Sequence, residues 1–249
     1  MSSGATQRAH YDAIIAEYEL HYDDPLSQAY RQRFVYSFMF AGIDLTGKKV
    51  LEAMCGTGQT TRYILERGAT VWGLDISMEA IARFKRRWPM CGAIQASMLD
   101  LGLRSGTFDC VVVVGGLHHL HPHLQRGIDE IHRVLRPGGY FCFAEPNRGS
   151  LLDTIRKVWY KLDPLFAPGE AAIDMDKIKR ENASRFEFAL EKYGGNLAYL
   201  FVLNSMIFRI PAPWKPFYAP LMMRMEAALT PLSSNRCFSH YVICRWRKR

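Results

Sequence analysis

The sequence predicts an α/β protein built on a doubly wound, mostly parallel sheet of seven strands. Three observations predict it. Strand and helix signals alternate from residue 49 to residue 145. Residues 110–114 are an unbroken Cys-Val-Val-Val-Val run, as a central strand buried on both faces requires. Two further strand-like segments follow near the C-terminal end. With 249 residues the chain can bury a substantial core as a single domain, and 49% apolar with 22% charged residues is ordinary for a folded soluble protein.

Taken in order, Asp24 and Pro25 mark a helix start, with Asp24 as cap and Pro25 in the first turn. Strands are expected at 50–54, 70–75, 93–96, 108–114 and 140–145. After the second strand, Ser77 caps a helix that sets Ile81, Phe84 and Trp88 on one face. A helix over 123–135 repeats the pattern through Leu124, Ile128, Ile131 and Leu135. Arg136, Pro137, Gly138 and Gly139 then stop it and turn the chain into the fifth strand. Residues 185–193 and 240–246 supply the sixth and last strands. Between them lie an apolar run (197–210), a proline-rich stretch (211–220) and a methionine-rich one (221–229).

The formal net charge is +8. Much of the excess sits in clusters at 85–87, 177–180 and 245–249, which read as solvated helix faces and a tail. No aromatic-interleaved RNA signature or zinc-finger spacing accompanies them, so nucleic acid is not favoured as a partner. An anionic membrane surface remains compatible with the charge. The six cysteines are scattered without a CxxC pair and read as reduced core thiols. The first twelve residues lack an apolar core of signal-peptide length, so a cytoplasmic protein is expected.

The chemistry begins at residues 50–61, a buried strand that breaks into a turn around Gly56 and Gly58 and then starts a helix. The next strand ends in Asp75. A turn without side chains lets a cofactor lie on the backbone, and an acid at the neighbouring strand end can hold two ribose hydroxyls. These features point to a nucleoside-cofactor site. A dinucleotide fingerprint requires a third glycine at the helix start, where this chain has Thr61.

Together with Gly115–Leu120 after the fourth strand and residues 136–146 across the fifth, this order of motifs resembles the class I S-adenosylmethionine (SAM)-dependent methyltransferases, in particular the small-molecule branch that includes quinone methyltransferases. The resemblance is close from Tyr11 to Glu145 and covers the last hundred residues only in general plan. It implies a Rossmann-like sheet with an antiparallel last strand, in one domain over 1–249. Within it, 1–45 would form a helical lid, 46–150 the SAM-binding core, and 151–249 the substrate side with a helical insertion at 196–235. The glycine motif of such proteins reads acid-x-Gly-x-Gly-x-Gly. Glu52, Gly56 and Gly58 match it, and Met54 stands where the first glycine is usual. The resemblance implies that the backbone from Cys55 to Gly58 meets the amino-acid end of SAM and that Asp75 accepts the ribose hydroxyls. Ile76 would lie on the adenine ring, with Ser97 and Met98 flanking it and Ser97 replacing a common Asp. Gly115 would close the site, and Tyr11 and Tyr22 would belong to the lid over SAM, whose product is S-adenosylhomocysteine.

Methyl transfer from a sulfonium needs alignment above all, and a base only where the acceptor must lose a proton. His119, after the strand that should face the methyl group, is the candidate base; a backbone-bonding or capping role is its alternative. His118, His119, His121 and His123 share one loop without a cysteine or acid at ligand spacing, so no metal is expected. Glu145 either lines the acceptor pocket or pairs with an arginine. The apolar run 197–210 is too short to span a bilayer and reads as a buried helix. Its alternative, with Trp214, Phe217, Tyr218, Met222, Met223 and Met225, is a greasy ligand pocket or a membrane interface flanked by Lys215 and Arg224. The expected function is methyl transfer to a small, apolar or lipid-like acceptor, with peripheral membrane contact. The alternatives are an RNA or protein methyltransferase and a SAM-binding protein without transfer.

Overall fold

A computed structural model describes residues 19–150, 153 and 172–249 of the chain. The expectation placed on Tyr11, the first 18 residues of the lid and most of 151–171 lie outside the described residues.

A buried β-branched run forms strands, and here those strands assemble into one seven-stranded sheet in the order β3-β2-β1-β4-β5-β7-β6. The strands are β1 (Lys49–Ala53), β2 (Thr70–Asp75), β3 (Gly92–Gln95), β4 (Phe108–Val114), β5 (Leu135–Pro146), β6 (Phe186–Gly194) and β7 (Tyr241–Lys248). The first five pair in parallel, and β7 runs antiparallel to both β5 and β6. Strand alternation sends Val50 and Val112 to one face and Leu51, Val111 and Val113 to the other, and all five are inaccessible to solvent. Helices cover both faces: α1 (Pro25–Arg31), α2 (Thr61–Leu65) and α3 (Met78–Arg87) on the first, α4 (Leu124–Val134) and α5 (Met175–Asn182) on the second. Asp24 caps α1 by accepting from Leu26 N and Ser27 N at 3.0 and 3.1 Å, and Ser77 caps α3 by accepting from Ala80 N at 3.0 Å.

Three local features differ from the sequence expectation. Helix α4 stops at Val134, and Leu135 already pairs with Phe108 in β5. Cys110 pairs with Tyr140, so residues 136–139 bulge out of the ladder, with Gly138 at φ +74° supplying the left-handed turn. The first strand ends at Ala53, and Met54 belongs to the turn beyond it. The apolar run 197–210 is not one helix. It holds a five-residue π turn, Tyr199–Leu203, closed by Asn204, whose backbone N and Nδ2 both donate to Tyr199 O at 3.0 and 2.8 Å. That side chain competes for a carbonyl a continuing helix would need.

The long helix of the insertion is instead α6 (Lys215–Ser233). Two buried charges fasten it. Lys215 donates from Nζ to Asp24 Oδ2 at 2.7 Å and Ser27 Oγ at 2.9 Å, tying α6 to the start of α1. Glu226, 1% exposed, accepts from the backbone N of Asn196, Ala198 and Tyr199 and from the Tyr30 hydroxyl. Burial raises the Glu226 carboxyl above its usual range, with these hydrogen bonds opposing the shift. The N-terminal and C-terminal segments thereby meet above the carboxyl ends of β1, β2 and β4. Among the described residues no helix is long and apolar enough to cross a membrane.

Candidate active site

A cavity of about 370 Å³ opens at those strand ends, where the strand order reverses between β1 and β4. Ligands of open α/β sheets bind at such switch points. Tyr22, Glu52, Cys55, Gly56, Asp75 and Ile76 line it, and Ser97, Met98, Gly115 and His119 line it further round. Gly58 is not among the lining residues. A Cβ there would come within 2.5 Å of Trp88 Nε1 and 2.8 Å of Phe84, so this glycine lets the turn pack on α3. A Cβ on Gly56 would meet nothing within 4 Å, which leaves open backbone on the cavity side.

Met54 has φ +54°, in the left-handed region that costs a side-chain-bearing residue about 1–2 kcal/mol. The position where the motif usually has glycine thus keeps the glycine conformation. The Met54 side chain fills the space over Gly116, where a Cβ would lie 2.8 Å from its Sδ.

Asp75 fastens the two strand ends together. Its Oδ2 accepts from Gly56 N at 2.9 Å and its Oδ1 from Ser77 N at 3.0 Å. Ser97 Oγ accepts from Leu99 N at 3.2 Å and shapes the loop after β3. Cys55 is buried, which pushes its thiol well up and keeps it protonated. Tyr22 donates from its hydroxyl to Asn204 Oδ1 at 3.2 Å, joining the N-terminal segment to the insertion over the cavity.

Glu52 is 4% exposed and accepts from Thr60 N at 2.9 Å and from Thr61 Oγ1. Burial pushes its carboxyl up to about 7, against the lowering effect of these bonds. A raised folded-state value favours folding while the group is protonated and loses that contribution as pH climbs from the unfolded value through 7. The wild type should therefore lose about 3 kcal/mol relative to Glu52→Gln between pH 4 and pH 8. Denaturant titrations at the two pH values check this; a constant difference would mean that Glu52 ionises normally in the fold.

Glu145, 1% exposed at the end of β5, organises the loop after β4. Its Oε1 accepts from Gly116 N and Leu117 N at 2.8 and 2.7 Å, and its Oε2 lies 2.7 Å from His118 Nδ1. Its partner is thus a histidine and not an arginine. His118 lines the cavity with only 12% of its side chain exposed. His119 packs against it with ring centroids 3.9 Å apart and donates its backbone N–H to Gly116 O at 3.0 Å. Among the described residues no group of three His, Cys, Asp or Glu side chains is arranged to hold a metal ion.

Sequence reasoning missed Arg31. It is 3% exposed, lines the cavity from α1, and donates from Nη1 to Tyr22 O. Among the described residues no Asp or Glu forms an ion pair with it, although its charge is felt by Glu52. A buried cation without a carboxylate is costly, and a carboxylate-bearing ligand would neutralise it. Open backbone at Gly56, a strand-end acid at Asp75, a buried guanidinium and an apolar wall at Ile76 and Met98 together fit a nucleoside with an amino-acid tail, as SAM is.

Comparison with known proteins agrees with this geometry. Residues 51–143 match the family described as a methyltransferase domain. An uncharacterized methyltransferase of Synechocystis is 43% identical over 105 residues, covering 42% of this chain and 50% of that protein. The fatty-acid O-methyltransferase of Mycolicibacterium smegmatis is 36% identical over 115 residues, covering 45% of this chain and 42% of that protein. The chain thus spans half or less of the curated relatives it matches. A SAM-dependent methyltransferase of Thermotoga maritima shares the fold, with a TM-score of 0.62, 15% identity, and coverage of 97% of this chain and 99% of that one.

Proposed function

We propose that this chain, which carries a class I SAM-dependent methyltransferase domain and takes SAM as its cofactor, methylates an oxygen of an apolar, lipid-like acceptor. One observation carries the chemistry: the 2.7 Å contact between His118 Nδ1 and the buried Glu145 carboxylate. Bound SAM supplies a methyl carbon on a positively charged sulfur, already activated for in-line displacement.

The residues do the rest. Arg31 would hold the carboxylate of the cofactor, and Asp75, which anchors Gly56, would accept the ribose hydroxyls. Ile76, Ser97 and Met98, which line the cavity, would surround the adenine, and Cys55 and Gly115 would form the backbone walls. Glu145 accepts the Nδ1–H of His118, which leaves Nε2 as the basic nitrogen of the ring. That nitrogen would take the proton of the acceptor hydroxyl, while bound SAM would supply the methyl group and leave as S-adenosylhomocysteine. His118, rather than His119, is therefore the base in this reading. His119 supports the His118 ring by contact.

The acceptor reading is supported by the apolar residues among those that line the cavity, Met54, Leu120, Leu203, Met206 and Ile207. The relationship to a fatty-acid O-methyltransferase supports it as well. We read residues 1–45 as the lid and 196–235 as the acceptor-side insertion. The cofactor half is checked by titration calorimetry. Asp75→Ala should weaken SAM binding about tenfold to thirtyfold, because hydrogen bonds to a charged group are lost. Unchanged affinity would remove Asp75 from the ribose.

A further inference from the structure

A helix on a protein surface normally turns a charged face to water. The outer face of α6 does not. Trp214 is 64% exposed, Phe217 87%, Leu221 58% and Leu232 69%, and Met225 and Ala228 are exposed among them. Their spacing of three, four and seven residues places them on one stripe along the helix. The opposite side, with Ala219, Tyr218, Met222, Met223 and Ala227, packs on the core. The helix is thus apolar on both sides, and one apolar side has no cover among the described residues. Apolar surface of this kind marks an interaction site.

The charges along this segment are mostly basic, and Asp24 beside the start of α6 is paired with Lys215. Between Gly195 and Asn235 the sequence holds a single acid, Glu226, and it is buried. Arg209 and Arg224 are exposed, and the whole chain carries +8.

We propose that α6 docks this protein on an anionic lipid bilayer surface. The helix lies along the interface with Phe217, Leu221 and Leu232 below the head groups and Trp214 at their level. Arg224 faces the lipid phosphates. Aromatic, aliphatic and basic side chains without an exposed carboxylate are the composition such a helix needs. A second copy of the chain fits the stripe less well. A two-fold contact centred on Leu221 would enclose both copies of Arg224 in one interface to which α6 brings no exposed acid.

The docking helix is also bonded to the cavity wall. Tyr218 of α6 donates to Phe201 O at 2.7 Å, within the π turn whose Tyr199 and Leu203 line the cavity. The proposal goes beyond the acceptor reading, and vesicles that contain no acceptor test it separately.

The experiment is co-sedimentation of the full chain, at low salt, with mixed phosphatidylglycerol–phosphatidylcholine vesicles and with pure phosphatidylcholine vesicles. The wild type should bind the mixed vesicles, and binding should fall as salt is raised. The double substitution Phe217→Ser with Leu221→Ser should lower the bound fraction by about tenfold or more. Arg224→Glu, at an exposed position, should weaken binding to the mixed vesicles and leave the pure ones unchanged; it keeps the test open if the double variant misfolds. SAM affinity, measured by calorimetry, should stay at the wild-type value in both variants. Absence of wild-type binding, equal binding to both vesicle types, or full binding by the double variant would overturn the proposal. A wild-type dimer that the double variant dissociates, with no vesicle binding, would assign the stripe to a second copy instead.

Discussion

His118→Ala is expected to lower kcat by about 10²- to 10⁴-fold, the range a positioned general base contributes. SAM affinity should change little, because the methionine and ribose ends of the cofactor are assigned to other residues. The acid behind His118 explains why this ring and not its neighbour is placed in the role. Glu145 is almost fully buried, accepts three backbone N–H groups and meets Nδ1 at 2.7 Å. In the proposed reading that contact holds the Nδ1–H and the plane of the imidazole. His119→Ala removes a supporting ring and should cost much less. Steady-state kinetics on both variants, with calorimetry for SAM, separates the roles. A larger loss for His119→Ala would return the base to position 119.

Arg31→Met should weaken SAM binding by about 10²-fold, as the loss of one partner from a buried charge pair does. The same substitution should leave the stability of the free protein unchanged or raised. The guanidinium is 3% exposed, and among the described residues no carboxylate is paired with it. Removing such a cation relieves a desolvation cost that folding otherwise bears, while methionine keeps most of the volume. The two measurements pull in opposite directions, which distinguishes a ligand-binding arginine from a structural one. A lower melting temperature with unchanged SAM affinity would make Arg31 structural.

The sheet was legible because its strands carry their own signal. A run such as Cys110–Val114 buries both faces only in the middle of a parallel sheet, and β2 and β4 lie at the expected residues. The caps at Asp24 and Ser77 were readable for the same local reason. The bulge at 136–139 was not, since proline and glycine look alike before a strand and within one. Asn204 ended the apolar run through a side-chain bond that periodicity does not register.

At the site, sequence order brought out the glycine turn, Asp75 and the histidine loop. It was silent on which glycine faces the cavity and which faces α3, because both hold a left-handed backbone and only Gly58 is also crowded by its neighbours. The split between His118 and His119 depends on an acid that arrives from β5, and the place of Arg31 depends on how α1 packs against the π turn and α6. Neither contact is local in the chain. Met54 was visible as a departure from the usual glycine; its left-handed backbone shows that the turn keeps its shape around a side chain.

The central claim is methyl transfer from SAM to an apolar acceptor with His118 as base. It is tested most directly by incubating the protein with SAM labelled at the methyl group and a membrane lipid extract, then counting label in the organic phase. The wild type should move label into that phase, and His118→Ala, at equal SAM occupancy, should reduce it by about 10²-fold or more. No label from a wild type that binds SAM, or equal label from the two proteins, would contradict the account.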